Sequence, residues 1–190
     1  FNALGNLYLR QGQYTPALNA YLQALKIAEP AKLNTLSPII LSNISIIYSN
    51  QSHFDKAFSY AYKALQKNQK NSDTLSIASN LTGLATIYQL KTDTAKALSY
   101  YQRSIELLSR TKKALPKLAE AYQNQALLYR STQQKLERQL QAQVIWDQSL
   151  PAHQLSITNL GNIAWAYLDL AKQDPKQKNA ALQKKKRKYV

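Results

Sequence analysis

Few side chains in this sequence could do acid–base or nucleophilic chemistry. The chain of 190 residues has ten Asp and Glu, two His and no Cys. His53 falls in a predicted turn and His153 follows Pro151, and neither has a second candidate ligand at metal-binding spacing. The carboxylates are scattered and include no close pair suited to general acid–base catalysis. No glycine-rich phosphate-binding loop is present. We therefore expect a protein that is not an enzyme, with no cofactor and no bound metal.

Asparagine side chains are the polar groups whose spacing points to binding. A short motif recurs with its leading residue at positions 4, 44, 84, 125 and 160, in steps of 40, 40, 41 and 35 residues. Asn43, Asn124 and Asn159 stand one residue before a leading position, and Asn6 and Asn162 stand two residues after one. An amide offers donors and an acceptor, so it can bond both the N–H and the C=O of an extended peptide. Solvated amides on a helix surface would give the same pattern.

A run of basic residues near the end of the sequence is its strongest local charge feature. The net charge is +15, and eight Lys or Arg against one acid lie from Lys172 onward. The cluster consists of Lys184, Lys185, Lys186, Arg187 and Lys188. It could be a solvated tail, a juxtamembrane segment that binds anionic headgroups, a nuclear import signal, or a nucleic-acid contact through phosphates. Only Tyr189 interleaves with these charges, which disfavours base stacking.

The sequence contains no apolar run of about 18 residues and no signal peptide. We favour a cytoplasmic location, and a periplasmic or membrane-proximal one would follow if a transmembrane segment came after this stretch. Met is absent and Phe1 lies inside the first predicted helix, which suggests a fragment.

Helices are the elements that must position these side chains. The motif at 4–8 returns at 160–163, and self-similarity at this period is typical of a solenoid. The sequence predicts an all-α array over 1–170, with repeats at about 1–30, 38–69, 78–110, 119–149 and 154–173. A capping helix and the basic tail would follow over 171–190. The long steps predict long first helices over 71–88 and 111–129, and we assign the four glycines to packing or turn positions.

The first repeat resembles a tetratricopeptide repeat in Leu4, Gly5, Tyr8, Gly12, Tyr14, Ala17, Tyr21, Ala24 and Pro30. The resemblance implies about five pairs of antiparallel helices in a right-handed superhelical α-solenoid, with the first helix of each pair lining a concave groove. Repeats lengthened to about 40 residues are similar to those of kinesin light chains, Gram-positive peptide-pheromone receptors and bacterial sensor proteins. Repeat four departs from the pattern, because Gln125 replaces an apolar residue and Arg138 a small one. We expect its second helix to pack differently or less tightly.

The resemblance also implies which side chains line the groove, because the residue before each leading position points into it. The candidate peptide-binding residues are Asn6, Asn43, Thr86, Gln123, Asn124, Arg130, Asn159 and Asn162. Not every repeat has an asparagine one residue before its leading position, because Ala3 and Gly83 occupy that place in two repeats. Arg130 could pair with a carboxylate. Trp165 could anchor an apolar side chain, although we favour packing between repeats for this ring.

We predict a non-catalytic scaffold that binds a peptide or protein segment in its concave groove. One alternative is the sensory or regulatory input domain of a bacterial signalling protein, such as a sensor histidine kinase or a transcription regulator. Another is nucleic-acid binding through the basic surface. The predicted partner is a protein or peptide ligand, and an anionic membrane surface or nucleic acid could contact the tail. The oligomeric state stays open.

Overall fold

The computed structural model describes residues 1–111, 114–150 and 153–173, which form nine α-helices joined by short turns. They are α1 (Asn2–Arg10), α2 (Tyr14–Ala28), α3 (Leu36–Asn50), α4 (Phe54–Lys70), α5 (Thr74–Leu90), α6 (Thr94–Ser109), α7 (Leu115–Ala126), α8 (Thr132–Ser149) and α9 (Gln154–Gln173). The predicted all-α repeat architecture is confirmed. Of the capping helix and tail predicted over 171–190, residues 171–173 belong to α9 and the rest lie outside the described residues.

The chain divides into two compact units, Phe1–Leu108 and Ser109–Val190. The first unit holds α1 to α5 and nearly all of α6. The described helices of the second unit are α7, α8 and α9. Each unit is built from helices that are consecutive in sequence, so each can be described by itself.

Alanines at one repeated position let paired helices approach closely in the first unit. Ala17, Ala57 and Ala97 are fully buried, and each lies near the start of the second helix of its pair. Branched residues of α3 and α5 complete the core around Ala17 and Ala57: Ile40, Ile44, Ile47, Leu81, Leu84 and Ile87. Because protein interiors are packed as densely as organic crystals, a larger side chain at the alanine positions would push the two helices apart.

Within each unit, side-chain hydrogen bonds tie residues of one helix pair to residues about one repeat away. The tied residues are Asn34 with Asn71, Ser42 with Asn80, Asp55 with Lys91, and Thr132 with Asp169. These partners are 36 to 38 residues apart, about the length of one repeat. The Lys91 ammonium lowers the pKa of the Asp55 carboxyl through its hydrogen bond and its charge. Both side chains are exposed, so this ion pair contributes little to stability.

Repeat four packs differently from the repeats before it, as the sequence predicts. Arg138 is only half-buried, and Ala142, four residues later on α8, takes the fully buried place. Ala142 and Trp146 pack against Ala119 of α7. Gln125, which replaces an apolar residue, is nevertheless buried. Trp146 follows Ala142 by four residues, the same spacing at which the buried Tyr21 follows Ala17 and the buried Tyr101 follows Ala97.

The predicted long first helices are only partly confirmed. The helix predicted over 71–88 exists as α5 with 17 residues, and Asp73 caps it by accepting a hydrogen bond from the Ser76 N–H at 3.1 Å. The prediction over 111–129 is wrong, because α7 has only 12 residues. Pro116 lies in its first turn, where the missing N–H costs nothing, and so favours a helix start at this point.

The turns between the helices of the first unit use left-handed backbone, and most do so without glycine. Gly12 has φ +71°, and the turn residues Ser52, Ser72 and Thr92 have φ of +60°, +54° and +62°. A β-branched residue is strained in this region. We expect Thr92→Gly to raise the free energy of unfolding by about 1 kcal/mol, because glycine adopts this conformation without a Cβ clash. Thermal denaturation followed by circular dichroism would measure the rise in melting temperature.

The matched control for this prediction is Gly12→Ala. A Cβ at Gly12 would meet nothing within 4 Å, so only its backbone strain should act, and it should lower the melting temperature. A Thr92→Gly variant that melts below the parent chain would contradict the prediction.

Candidate functional site

In the first unit, polar side chains of three neighbouring helices form one hydrogen-bonded group. The Tyr21 hydroxyl of α2 donates to Asn6 Oδ1 of α1 at 2.6 Å, and Asn43 Nδ2 of α3 donates to the same oxygen at 3.1 Å. Burial raises the pKa of Tyr21, and the Asn43 amide partly opposes that rise. Asn6 is exposed and Asn43 is half-buried. The structure therefore brings two predicted site residues together at the surface, and we call Asn6 and Asn43 the amide pair.

A similar arrangement recurs between α5 and α6. Thr86 Oγ1 lies 3.2 Å from the Tyr101 hydroxyl, which donates to Gln89 Oε1 at 3.1 Å. The 15 residues between Thr86 and Tyr101 equal the separation of Asn6 and Tyr21. Two buried tyrosines thus hold polar side chains of first helices in place. The sequence predicts only a packing role for both tyrosines. The signal that could have revealed their hydrogen bonds is that each follows a polar residue of a first helix by 15 residues.

Gly83 occupies in α5 the position that Asn43 occupies in α3, one residue before the leading position. It is exposed, and a Cβ built there would meet nothing within 4 Å. Its predicted packing role is therefore wrong. The surface of α5 presents bare backbone where α3 presents an amide.

In the second unit, side chains of α7, α8 and α9 and Leu127, which follows α7, surround a pocket of about 160 Å³. Its walls include Leu127, Lys135, Asn162 and Trp165, and Gln139 also lines it. Trp165 is 58% exposed, so the packing role favoured for it is wrong. Gln139 is buried, and its Oε1 has no hydrogen-bond partner among the described residues. We call this the Trp165 pocket, and it combines apolar walls with hydrogen-bonding groups.

Asn159, a predicted groove residue, lies inside the second unit. It is fully buried, and its Nδ2 donates to the Gln139 carbonyl oxygen at 2.8 Å and to Gln143 Oε1 at 3.1 Å. Asn159, Ile163 and Ala166 are buried at spacings of four and three residues, so they form the face of α9 that packs inward. The prediction that Asn159 contacts a ligand is therefore wrong.

The remaining predicted site residues, Gln123, Asn124 and Arg130, differ in their burial and hydrogen bonds. Gln123 Nε2 donates to the Leu155 carbonyl oxygen at 2.9 Å, and its Oε1 accepts from Trp146 Nε1 at 3.2 Å. Gln123 therefore bridges three segments of the second unit through both ends of its amide. Asn124 is half-buried on α7, and Arg130 is exposed just after that helix. The geometry does not place Arg130 in the Trp165 pocket.

The basic cluster at 184–188 lies outside the described residues, so its predicted roles stay predictions. Within the described ranges, no helix is long and apolar enough to cross a membrane. His, Asp and Glu side chains in the same ranges form no group of three or more that could hold a metal ion.

Two tetratricopeptide repeat models match the sequence, over residues 1–30 and 36–110, together more than half of the chain. No curated protein sequence matches it. Solved structures share the fold. BtubC (BKLC) from P. vanneervenii is 21% identical with a TM-score of 0.76, over 97% of this chain and 76% of that one.

Two further solved structures are similar. The nearly identical TPR-like repeats assigned to a kinesin light chain of Podosopora anserina are 18% identical with a TM-score of 0.65, over 98% of this chain and 95% of that one. The apo form of RapI is also 18% identical, with a TM-score of 0.76 over 94% of this chain and 64% of that one. At these identities the likeness shows the fold.

Tetratricopeptide repeats form protein-interaction scaffolds that are generally not catalytic. The matched family models and the similar solved structures agree with the observed fold, in which paired helices have small residues at their contacts. The chain belongs to the tetratricopeptide repeat family.

Proposed function

We propose that this protein is a non-catalytic scaffold that binds an extended peptide segment of a partner along the surface of its first helices. The amide pair is the observation that carries the proposal. Its two side chains are accessible, they come from neighbouring repeats, and a buried tyrosine fixes them. Groups that are already ordered lose little conformational entropy when a ligand binds.

The amide chemistry suits a peptide main chain. Asn43 uses one of its two donors on Asn6, so its second N–H can donate to a ligand carbonyl. The Thr86 side chain on α5 is exposed and held by Tyr101. At Gly83 the missing side chain lets an extended segment approach the helix backbone closely. Asn6, Asn43 and Thr86 are therefore the proposed contact residues in the first unit.

In the second unit, the Trp165 pocket would receive one side chain of a bound segment. Leu127 and Trp165 supply apolar walls, and Asn162 supplies an exposed amide. Gln139, a buried residue, completes the lining. Asn162 thus keeps its proposed role. The half-buried Asn124 and the exposed Arg130 stay candidates, whereas Gln123 and Asn159 are no longer proposed as contacts.

Selection from a displayed peptide library, followed by fluorescence anisotropy, would test this proposal. Peptides that bind at the amide pair should bind Asn43→Ala about two- to tenfold more weakly, and peptides that bind at the Trp165 pocket should bind Asn162→Ala more weakly by the same factor. Each amide should contribute about 0.5–1.5 kcal/mol through its bond to the main chain. Asn6 is left unchanged in both variants, because the Tyr21 hydroxyl needs it as an acceptor.

The matched control is Asn19→Ala/Asn50→Ala. Both asparagines are exposed, Asn19 on the second helix α2 and Asn50 at the last residue of α3. This control should bind the selected peptides as tightly as the parent chain, and circular dichroism should show every variant folded. Binding of all selected peptides by Asn43→Ala and by Asn162→Ala as tightly as by the parent chain would rule out the proposed contacts.

A further inference from the structure

A second pocket in the first unit lies between the second helices α2 and α4. Its volume is about 320 Å³, at the lower end of the range of about 300–1,000 Å³ for ligand sites. Leu25, Leu41 and the Tyr60 ring give it an apolar part. Its polar lining residues are Glu29, Lys63, Gln66, Lys67 and Lys70. We call it the lysine pocket, and neither member of the amide pair lines it.

The charge of the lysine pocket is strongly positive. Lys63, Lys67 and Lys70 are four and three residues apart, so α4 presents them on one face. The acid that lines the pocket is Glu29, whose Oε1 lies 3.3 Å from Lys67 Nζ. Lys63 and Lys70 therefore have no acidic partner among the residues that line the pocket, and they can pair with anionic groups of a ligand.

The Tyr60 ring at the apolar part of the pocket already has two close neighbours. Tyr48 stacks on it with ring centroids 5.5 Å apart and planes 20° apart, and Lys63 Nζ lies 5.5 Å from its centroid. Burial raises the pKa of Tyr60, so its hydroxyl stays neutral near pH 7. The ring therefore serves as a fixed wall that also orients the Lys63 side chain.

We propose that the lysine pocket binds an acidic peptide segment that carries one apolar side chain. The apolar side chain packs against Leu25, Leu41 and Tyr60. Flanking carboxylates pair with Lys63 and Lys70, which the pocket leaves without an acid. The Gln66 amide bonds the peptide main chain. This site is lined mainly by α4, with Leu25 of α2 and Leu41 of α3, and it contains neither member of the amide pair, so the two sites can be tested separately.

An acidic peptide fits the lysine pocket better than a nucleic acid does. Binding of single-stranded nucleic acid relies on aromatic faces on which bases can stack. At Tyr60 those faces are engaged by Tyr48 and Lys63. The half-buried Leu25 side chain has no use in binding phosphates, whereas an aliphatic side chain of a peptide would bury it further.

The test measures binding of a short fluorescein-labelled peptide in which one leucine is flanked on each side by glutamates. Fluorescence anisotropy at low salt should show that Lys63→Gln/Lys70→Gln binds it about tenfold more weakly than the parent chain. Glu29→Gln should bind it about two- to fivefold more tightly, because Lys67 then loses its internal partner. The opposite signs of the two variants separate a specific site from loss of folding.

A control variant with the same charge change is Arg10→Gln/Arg110→Gln, in which both arginines are exposed and outside the pocket. It should bind the peptide nearly as well as the parent chain. Control peptides with glutamines in place of glutamates, or serine in place of leucine, should bind more weakly. An equal loss in both double variants would overturn the proposal, because it would show attraction by net charge alone. Tighter binding of a labelled single-stranded oligonucleotide than of the peptide would also overturn it.

Discussion

Replacing Trp146 with alanine is expected to lower the free energy of unfolding by about 3–5 kcal/mol. Trp146 is 1% exposed and packs between Ala119 and Ala142. It also stacks on His153 with ring centroids 5.1 Å apart. Alanine would leave a cavity at the α7–α8 contact and would leave Gln123 Oε1 without its indole donor. Denaturant titration followed by circular dichroism would measure the loss in the second unit.

The chain contains one other tryptophan, which provides the control. Trp165 is 58% exposed, so Trp165→Ala should change the free energy of unfolding by less than about 0.5 kcal/mol. In Trp165→Phe the remaining Trp146 fluorescence should resist quenching by acrylamide. If Trp165→Ala lost as much stability as Trp146→Ala, Trp165 would also have to be buried, and the prediction would be wrong.

Replacing Gly5 with alanine is expected to lower the free energy of unfolding by about 1–3 kcal/mol. A Cβ at Gly5 would lie 2.6 Å from Tyr21 Cε1. The Tyr21 ring is fully buried and its hydroxyl is bonded to Asn6, so the ring cannot move away without losing contacts. The added methyl therefore disturbs both the α1–α2 contact and the support of the amide pair. Thermal denaturation would give the stability, and peptide anisotropy would report the amide pair.

Gly83→Ala and Gly161→Ala are matched controls for Gly5→Ala, because both glycines lie within helices. A Cβ at either position would meet nothing within 4 Å. Alanine is the better helix former, so each control should raise the free energy of unfolding by about 0.5–1 kcal/mol. A loss of stability in all three variants would show that glycine itself is needed at these places, and the clash with Tyr21 would not be the cause.

The sequence predicts the local architecture well because a helical period is a property of neighbouring residues. The apolar stripe at Tyr14, Ala17, Tyr21 and Ala24 lies within α2, and the turn at Gly12 has the left-handed backbone that a helix end needs. The alanine at position 17 is fully buried, as the family pattern implies. Each of these features depends on residues within the repeat itself.

The site could be predicted only in part, because helix rotation depends on the neighbours. One residue corresponds to about 100° around a helix axis. In α9 the inward face contains Ser156 and Asn159, so Leu160 is partly exposed and Trp165 lies on the surface. The motif around Gly5 and the motif around Gly161 are nearly identical in sequence, yet only Gly5 has an aromatic ring against it. Sequence similarity between repeats therefore did not reveal which face each helix would bury.

The hydrogen bonds between helix pairs join residues that are about one repeat apart in sequence, and this separation affects how the chain folds. Partners such as Ser42 and Asn80 are no more than 38 residues apart, so these contacts form without bringing distant parts of the chain together. Closing a short loop costs less entropy than closing a long one, and chains rich in local contacts fold quickly. Folding can then start in any helix pair and spread to its neighbours, with no single nucleus on which the whole chain depends.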